Sequence, residues 1–99
     1  MIQATIDTCG FTIRGHADYA EHGKDIVCSA VSALTQTIAI ILKRECNAFV
    51  VNNEGLLFVS FDNYQIKEKL LLSTLIEGLN NVKSDYPNHI ELNIQKGMI

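Results

Sequence analysis

The chain has no tryptophan, one proline and two methionines among its 99 residues, and its lysines and arginines number only eight. These basic residues form no cluster, and the net charge is −3. Binding to DNA or RNA phosphates depends on clustered basic side chains, so we expect no direct nucleic-acid partner. The longest uninterrupted apolar run, Ile38 to Leu42, has five residues. A membrane span needs about 20, so we expect no membrane segment.

Cysteine is also scarce, with three residues at positions 9, 28 and 46. An odd number of cysteines without a CxxC pair is typical of a reducing compartment and indicates neither a zinc site nor a thioredoxin-type motif. The segment MIQATID alternates and carries an acid, unlike a secretory signal peptide. The sequence therefore predicts a cytoplasmic protein without a zinc site, built as a single domain over residues 1–99.

The pattern of apolar residues predicts seven secondary-structure elements, because alternation indicates strands and spacings of three and four indicate helices. In chain order they are a hairpin over residues 1–14, a helix from Asp25 to about Glu45, strands at Phe49–Val51 and Leu56–Phe61, a helix from a cap at Asn63 to about Asp85, and a closing strand over residues 90–94. The first helix is apolar almost all round, which is typical of a helix covered on more than one side. The order ββαββαβ predicts a two-layer α+β domain, with two helices packed on a mixed, mainly antiparallel sheet.

Cys28 is predicted to lie in the first turn of the first helix, because Asp25 is a suitable N-cap. The helix dipole and unpaired N–H groups at that position favour a thiolate, the form in which cysteine attacks. The same N–H groups could bind the oxyanion of an acyl-transfer reaction. His16 follows Gly15 at the end of the second strand, and residues 17–24 are predicted to form an exposed loop that could bring the imidazole to the sulfur.

Each of these residues also has a plainer interpretation. On composition alone, a cysteine within IVCSAV is about twice as often a core residue as a catalytic one. His16 would then be a surface residue and Asp25 only a helix cap. Ser32, four residues after Cys28, would bond back to the carbonyl of Cys28. The residues alone leave this choice open.

The spacing of these residues resembles that of the ribosomal-processing cysteine proteases, the Prp family of bacteria. The shared pattern is GHA, five residues, G-x-D-I-V-C, one residue and A-V-S, which falls on residues 15–32 of this chain. Length and element order are also similar, so the resemblance covers essentially the whole chain. Asp18 and Ser29 depart from the pattern, since family members often have glycine and alanine there. Asp18 therefore predicts a less flexible loop.

The resemblance implies a cysteine peptidase with Cys28 as nucleophile and His16 as general base, which needs no metal or cofactor. Supporting roles are implied at four further motif positions, namely Gly15, Gly23, Asp25 and Ser32. The resemblance also implies a homodimer. Its substrate would be a large-subunit ribosomal protein, the L twenty-seven protein, which loses a short N-terminal extension after hydrophobic, aromatic-containing residues.

Two other functions stay open. One is a non-catalytic, ribosome-associated binding module of the same fold. The other is a redox-sensing thiol protein, which would need Cys9 or Cys46 close to Cys28 as a resolving cysteine. Outside such a role, Cys9, Cys46 and His89 are interpreted as structural, and His22 as a solvated loop residue.

Overall fold

The computed structural model describes residues 1–21 and 23–98, so the interpretation of His22 lies outside the described residues. The observed elements follow the predicted order ββαββαβ, which confirms the α+β class. In chain order they are β1 (Ile2–Asp7), β2 (Gly10–Arg14), α1 (Ile26–Cys46), β3 (Phe49–Asn53), β4 (Leu56–Ser60), α2 (Ile66–Asp85) and β5 (Ile90–Ile94).

The five strands form one sheet in the order β3-β4-β2-β1-β5. Three neighbouring pairs are antiparallel and the pair of β1 with β5 is parallel, so the sheet is mixed and mainly antiparallel, as predicted. The parallel pair places Ile90 opposite Ile2, and the Ile2 N–H donates to the His89 carbonyl at 3.0 Å. The start of β5 therefore lies at the same end of the sheet as the end of β2.

The core lies on one face of the sheet, because strand residues alternate between protein interior and solvent. In β1 the buried residues are Ile2, Ala4 and Ile6. The antiparallel register sets Ile13 opposite Ala4 and Phe11 opposite Ile6, so these apolar side chains share one face. Both helices contribute buried side chains to the same cluster, and this gives the two layers that the sequence predicts.

The two helices approach each other closely at Gly78 of α2. A Cβ added at this glycine would lie 2.4 Å from the Cδ2 atom of Leu34 in α1. A glycine inside a helix costs about 1 kcal/mol relative to alanine, so Gly78 lowers the helix preference of this segment. A side chain at this position would therefore require the end of the Leu34 side chain to shift.

The second helix begins later than predicted. Its N-cap is Gln65 rather than Asn63. The Gln65 N–H donates to Glu68 Oε1 at 2.9 Å, which is the return contact that a glutamate at the third helical position makes with the cap. This contact decides where α2 starts, so the prediction of a cap at Asn63 is wrong.

The first helix is long and apolar enough to cross a membrane by length and composition, with a mean hydropathy of 1.8 over 18 residues. The predicted absence of such a segment rested on uninterrupted apolar runs, which polar residues such as Thr37 divide. A core helix of a soluble protein meets the same criterion, and α1 buries Val31 and Leu42 in the core. Its outward residues Ile26 and Ile40 are 54% and 62% exposed, so α1 is not covered all round.

Candidate active site

Asp25 is the N-cap of α1, as predicted, and it is only 6% exposed. Its Oδ1 accepts from the N–H groups of Val27 and Cys28 at 3.0 Å each. Its Oδ2 accepts from Tyr19 at 2.9 Å and Ala20 at 3.4 Å. Burial raises the pKa of this carboxyl, but the four backbone donors together lower it further, so its pKa lies below the ordinary value. The charged carboxylate therefore joins the loop after β2 to the start of α1.

Cys28 is the third residue of α1 and is half-buried. Its Sγ accepts a hydrogen bond from the Ala17 N–H at 3.2 Å. The prediction that first-turn N–H groups of α1 are available to an oxyanion is wrong for Val27 and Cys28, because the Asp25 carboxylate occupies both. The donor directed at the sulfur comes instead from the loop that precedes the helix.

His16 lies exposed two residues after the end of β2. Gly15 before it has φ +85°, and a Cβ there would lie 2.6 Å from the Met1 carbonyl oxygen, so a glycine is needed for both reasons. The Gly15 N–H donates to the Gly55 carbonyl at 3.0 Å, which attaches this segment to the β3–β4 turn. A Cβ on Gly55 would lie 3.4 Å from His16 Nε2. The imidazole therefore lies beside that turn.

A cleft of about 780 Å³ lies between the start of α1, the loop after β2 and the β3–β4 turn. Its volume is in the range of ligand-binding sites in proteins. The cleft is lined by all six residues for which the sequence predicts a catalytic or supporting role, namely Gly15, His16, Gly23, Asp25, Cys28 and Ser32. No group of three or more His, Cys, Asp or Glu side chains that could hold a metal ion occurs within residues 1–21 and 23–98.

The first residues of the loop after β2 are attached to the start of α1, because Ala17 donates to Cys28 and both Tyr19 and Ala20 donate to Asp25. Ala17 is only 1% exposed, so the prediction of an exposed loop is wrong at this residue. Asp18 has φ +55°, a left-handed backbone conformation that glycine adopts more easily. This is the position at which the family resemblance leads us to expect glycine. The Asp18 carboxylate also lies 3.1 Å from the N-terminal ammonium group.

Ser32 and Gly23 reach the cleft but make few contacts. Ser32 is exposed, and in the part of the chain that the structure describes its hydroxyl does not bond back to the helix. The back-bonding hydroxyl on this side of α1 is that of Thr35, which donates to the Val31 carbonyl at 2.8 Å. Gly23 has φ +87°, so its backbone conformation accounts for glycine there without any role in the chemistry.

The two other cysteines lie far from Cys28. Cys46 is the last residue of α1, which places it about 27 Å further along the helix at 1.5 Å per residue. Cys9 is exposed in the β1–β2 turn, whereas His16 follows the opposite end of β2. Neither is placed to act as a resolving cysteine, so the structure does not support the redox-sensor alternative.

Three contacts at the site were not predicted from the sequence. They are the Ala17 N–H on the Cys28 sulfur, Gly55 beside His16, and the contact of His89 Nδ1 with the Ala17 carbonyl at 2.9 Å. The contacts of Gly55 and His89 depend on which strands are neighbours in the sheet, whereas the Ala17 contact is made by a backbone N–H eleven residues before Cys28. The one available signal was that the closing strand could lie beside the first, which would bring His89 to this end of the molecule. Periodicity does not reveal which strands are neighbours.

The arrangement defines a class of protein. A cysteine in the first turn of a helix, a backbone donor on its sulfur and a histidine in the same cleft are the parts of a thiol hydrolase. The model of the family described as Cysteine protease Prp matches residues 1–91. The chain belongs to this family and is a cysteine protease.

Individual relatives agree over almost the whole chain. The ribosomal processing cysteine protease Prp of Mycoplasma pneumoniae is 31% identical over 99 residues and covers 97% of each chain. The Prp of Bacillus subtilis is 27% identical over 107 residues, covering 93% of this chain and 96% of the relative. The resemblance inferred from the motif spacing is therefore confirmed.

Solved structures show the same fold. An essential ribosomal processing protease Prp from S. aureus, in complex with a covalently linked product peptide, superposes with a TM-score of 0.82 at 21% identity, over 95% of this chain and 97% of that one. SMU.848 from Streptococcus mutans superposes with a TM-score of 0.70 at 27% identity, over 95% and 93% of the two chains. The arrangement of two helices on a five-stranded sheet is thus shared with these proteins.

Proposed function

We propose that this protease cleaves its substrate with a dyad of Cys28 as nucleophile and His16 as general base. The observation that carries the proposal is the sulfur of Cys28, which lies in the cleft at the start of α1 with the Ala17 N–H directed at it at 3.2 Å. The attacking form of cysteine is the thiolate, and a sulfur anion can accept a hydrogen bond from this N–H. The His16 imidazole lines the same cleft.

The reaction has two steps. The Cys28 thiolate attacks the scissile carbonyl, and the C–N bond breaks as the His16 imidazolium gives its proton to the leaving amine. His16 then takes a proton from water, and the resulting hydroxide attacks the thioester. The products are a carboxylic acid, which ionises, and the regenerated thiolate. Because Asp25 occupies the N–H groups of Val27 and Cys28, we propose that the Ala17 N–H, which lies 3.2 Å from the sulfur, donates to the oxyanion of each tetrahedral intermediate.

The proposed substrate is a large-subunit ribosomal protein, the L twenty-seven protein, from which the enzyme removes a short N-terminal extension after aromatic-containing residues. Two observations support this. The curated relatives are named ribosomal processing cysteine proteases, and the motif of residues 15–32 resembles theirs. The cleft of about 780 Å³ is large enough for several residues of an extended peptide.

The test is incubation of purified protein with the extended ribosomal protein, followed by intact-mass measurement. We expect cleavage at one position by the wild type, none by Cys28→Ala, and a loss of about 10²–10⁴-fold in kcat for His16→Gln, because the proton-transfer group is removed. Cys9→Ala is the matched control, since Cys9 is exposed and far from the cleft. Full cleavage by Cys28→Ala would overturn the dyad. An uncut ribosomal protein beside cleavage of other peptides would overturn the substrate.

We further propose that the protein acts in the cytoplasm as a homodimer, as the family resemblance implies. Phe49 and Phe58 support an interface, because they are 62% and 38% exposed and stack edge to face at 6.4 Å. Light scattering during gel filtration is expected to give twice the chain mass of 11.0 kDa. A monomer at micromolar concentration would contradict the dimer, and recovery of the protein in the membrane fraction of cells would contradict the cytoplasmic location.

A further inference from the structure

We propose that His89 is a positioning residue for the proteolytic reaction, because it holds the Ala17 peptide so that its N–H remains on the sulfur of Cys28. This inference rests on the proposed role of Cys28 as nucleophile. His89 lies outside the motif of residues 15–32, and it precedes β5, far along the chain from the cleft.

The first observation is a pair of hydrogen bonds on one residue. The Ala17 N–H reaches Cys28 Sγ at 3.2 Å, and the Ala17 carbonyl lies 2.9 Å from His89 Nδ1. A carbonyl oxygen can only accept, so Nδ1 must carry the hydrogen and donate it. One hydrogen bond holds the N–H of Ala17 and the other holds its carbonyl. A shift of the carbonyl changes the backbone angles of the residue and moves the N–H relative to the sulfur.

The second observation is that the His89 ring is itself held in place. The His89 N–H donates to the Tyr86 carbonyl at 3.1 Å, and the His89 carbonyl accepts from the Ile2 N–H at 3.0 Å. The ring packs edge to face against Tyr19 at 5.3 Å, and Tyr19 packs in the same way against Tyr86 at 5.3 Å. Such aromatic pairs are directional, so the direction in which Nδ1 points is fixed by both backbone and packing.

The third observation is burial. Ala17 is 1% exposed, so water can scarcely replace the ring as partner of its carbonyl. A buried acceptor without a partner loses favourable free energy and turns toward another donor. Loss of the Nδ1–H therefore acts on the Ala17 peptide, and through it on the sulfur, although His89 itself does not touch the sulfur.

The test uses two amides of similar chemistry at position 89. The amide nitrogen of asparagine occupies the place of Nδ1, whereas that of glutamine occupies the place of Nε2. We expect His89→Gln to lower kcat and the rate of Cys28 alkylation by iodoacetamide about tenfold, because one hydrogen bond to the Ala17 carbonyl is lost. His89→Asn is expected to restore both to within about threefold of the wild type. KM should change less than about twofold in either variant, since uniform substrate binding is untouched.

A third variant separates hydrogen bonding from packing. His89→Phe keeps an aromatic ring against Tyr19 but has no donor, so we expect it to behave like His89→Gln. Alkylation is followed on the tryptic peptide that contains Cys28, so that Cys9 and Cys46 do not contribute. Glu91→Gln, at an exposed position of β5, is the matched control. Melting temperatures of all variants show which are folded at the assay temperature.

The outcomes divide clearly. Wild-type kcat and alkylation in His89→Gln and His89→Phe would overturn the positioning role, and so would an Asn variant as slow as the Gln variant. If both the Gln and Phe variants unfold, the Asn variant alone decides, because it must be folded and nearly as reactive as the wild type. Failure of the proposed function has a different signature, namely an active Cys28→Ala.

Discussion

Cys28 and Cys46 lie at the two ends of the same helix, each half-buried and each beside a buried carboxylate, yet their hydrogen-bonding surroundings differ. Beside Cys28, the oxygens of the Asp25 carboxylate accept hydrogen bonds from four backbone N–H groups. A fifth N–H, that of Ala17, donates to the Cys28 sulfur. At Cys46, burial and then the adjacent Glu68 carboxylate raise the pKa of the thiol. At one end of the helix the sulfur therefore accepts from a backbone N–H, and at the other end the thiol lies beside a carboxylate.

The two carboxylates, Asp25 and Glu68, also differ in the groups that donate hydrogen bonds to them. Glu68 is 7% exposed, and its pKa is lowered by the Cys46 thiol first and then by backbone N–H groups at the start of α2. Asp25 caps a helix that begins at the cleft, whereas Glu68 binds the cap of a helix that begins beside the end of α1. A carboxylate close to a thiol raises the pKa of that thiol. A carboxylate satisfied by the backbone leaves the neighbouring sulfur free for other partners.

The largest effect should come from replacing each sulfur by oxygen. Cys28→Ser is expected to lower kcat about a thousandfold or more, because a serine hydroxyl in this setting is a much weaker nucleophile. Cys46→Ser should stay within about twofold of the wild type. Steady-state cleavage of a fluorogenic peptide measures both. Equal losses in the two variants would mean that the ends of α1 do not differ as described, and an active Cys28→Ser would exclude the Cys28 sulfur as the required nucleophile.

The next effect is on stability. Asp25→Ala is expected to lower the free energy of unfolding by about 2–4 kcal/mol, since it removes a cap and leaves buried N–H groups without a partner. Glu68→Ala should lower the free energy of unfolding by about 1–2 kcal/mol. The loss is smaller because, apart from its own N–H, the Glu68 carboxylate accepts from one backbone N–H, that of the cap Gln65. Urea unfolding curves give both values. A larger loss for Glu68→Ala than for Asp25→Ala would contradict the comparison.

Acid should weaken the fold through the same two carboxylates. Their pKa values are lowered in the folded state, so their contribution is complete above the ordinary carboxyl range near about pH 4–4.5 and is lost as pH falls through the lowered values. We expect Asp25→Asn to be less stable than the wild type at pH 6 but to lose less stability between pH 6 and pH 3. Unfolding free energies measured across this range check it. A parallel decline of both proteins would exclude Asp25 as a contributor.

The smallest effect is expected at alkaline pH. The pKa of Cys46 is raised in the fold, so the stability linked to its neutral thiol is present below the ordinary thiol pKa of about 8.5 and is lost as pH rises through the raised value. Cys46→Ala should therefore lose less stability than the wild type between pH 8 and pH 10. Cys9→Ala, at an exposed site, is the matched control and should follow the wild type. Identical slopes in all three proteins would show that Cys46 does not ionise differently in the fold.

Much of the local structure followed from spacing. Apolar residues at intervals of three and four predicted both helices, and Asp25 was predicted as the cap of the first because its side chain can reach the N–H groups of the next turn. The cap of the second helix was misplaced, because Asn63 and Gln65 are both able to start a helix. The decision came from Glu68, whose side chain returns to the Gln65 N–H. Local signals thus predict elements better than they predict their ends.

In the candidate site, the side chains were predicted from the sequence but the backbone donors were not. Its six predicted residues lie around one cleft, because most of them belong to a short stretch between the end of β2 and the first turns of α1. The oxyanion donors were assigned wrongly, because a sequence does not show that a capping carboxylate accepts from Cys28 itself. The role of Ala17 was likewise hidden, since a backbone N–H has no side chain to identify it.

By itself, the sequence determined the two-layer class, the order of the elements and the placing of a cysteine in the first turn of a helix, because periodicity and capping act over a few residues. Only the tertiary structure decided what surrounds the sulfur. The parallel pairing of β5 with β1 brings His89 to Ala17, and the β3–β4 turn brings Gly55 to His16. These contacts join residues about 40 to 70 positions apart. They depend on which strands become neighbours, and that is settled by how the whole sheet buries one face.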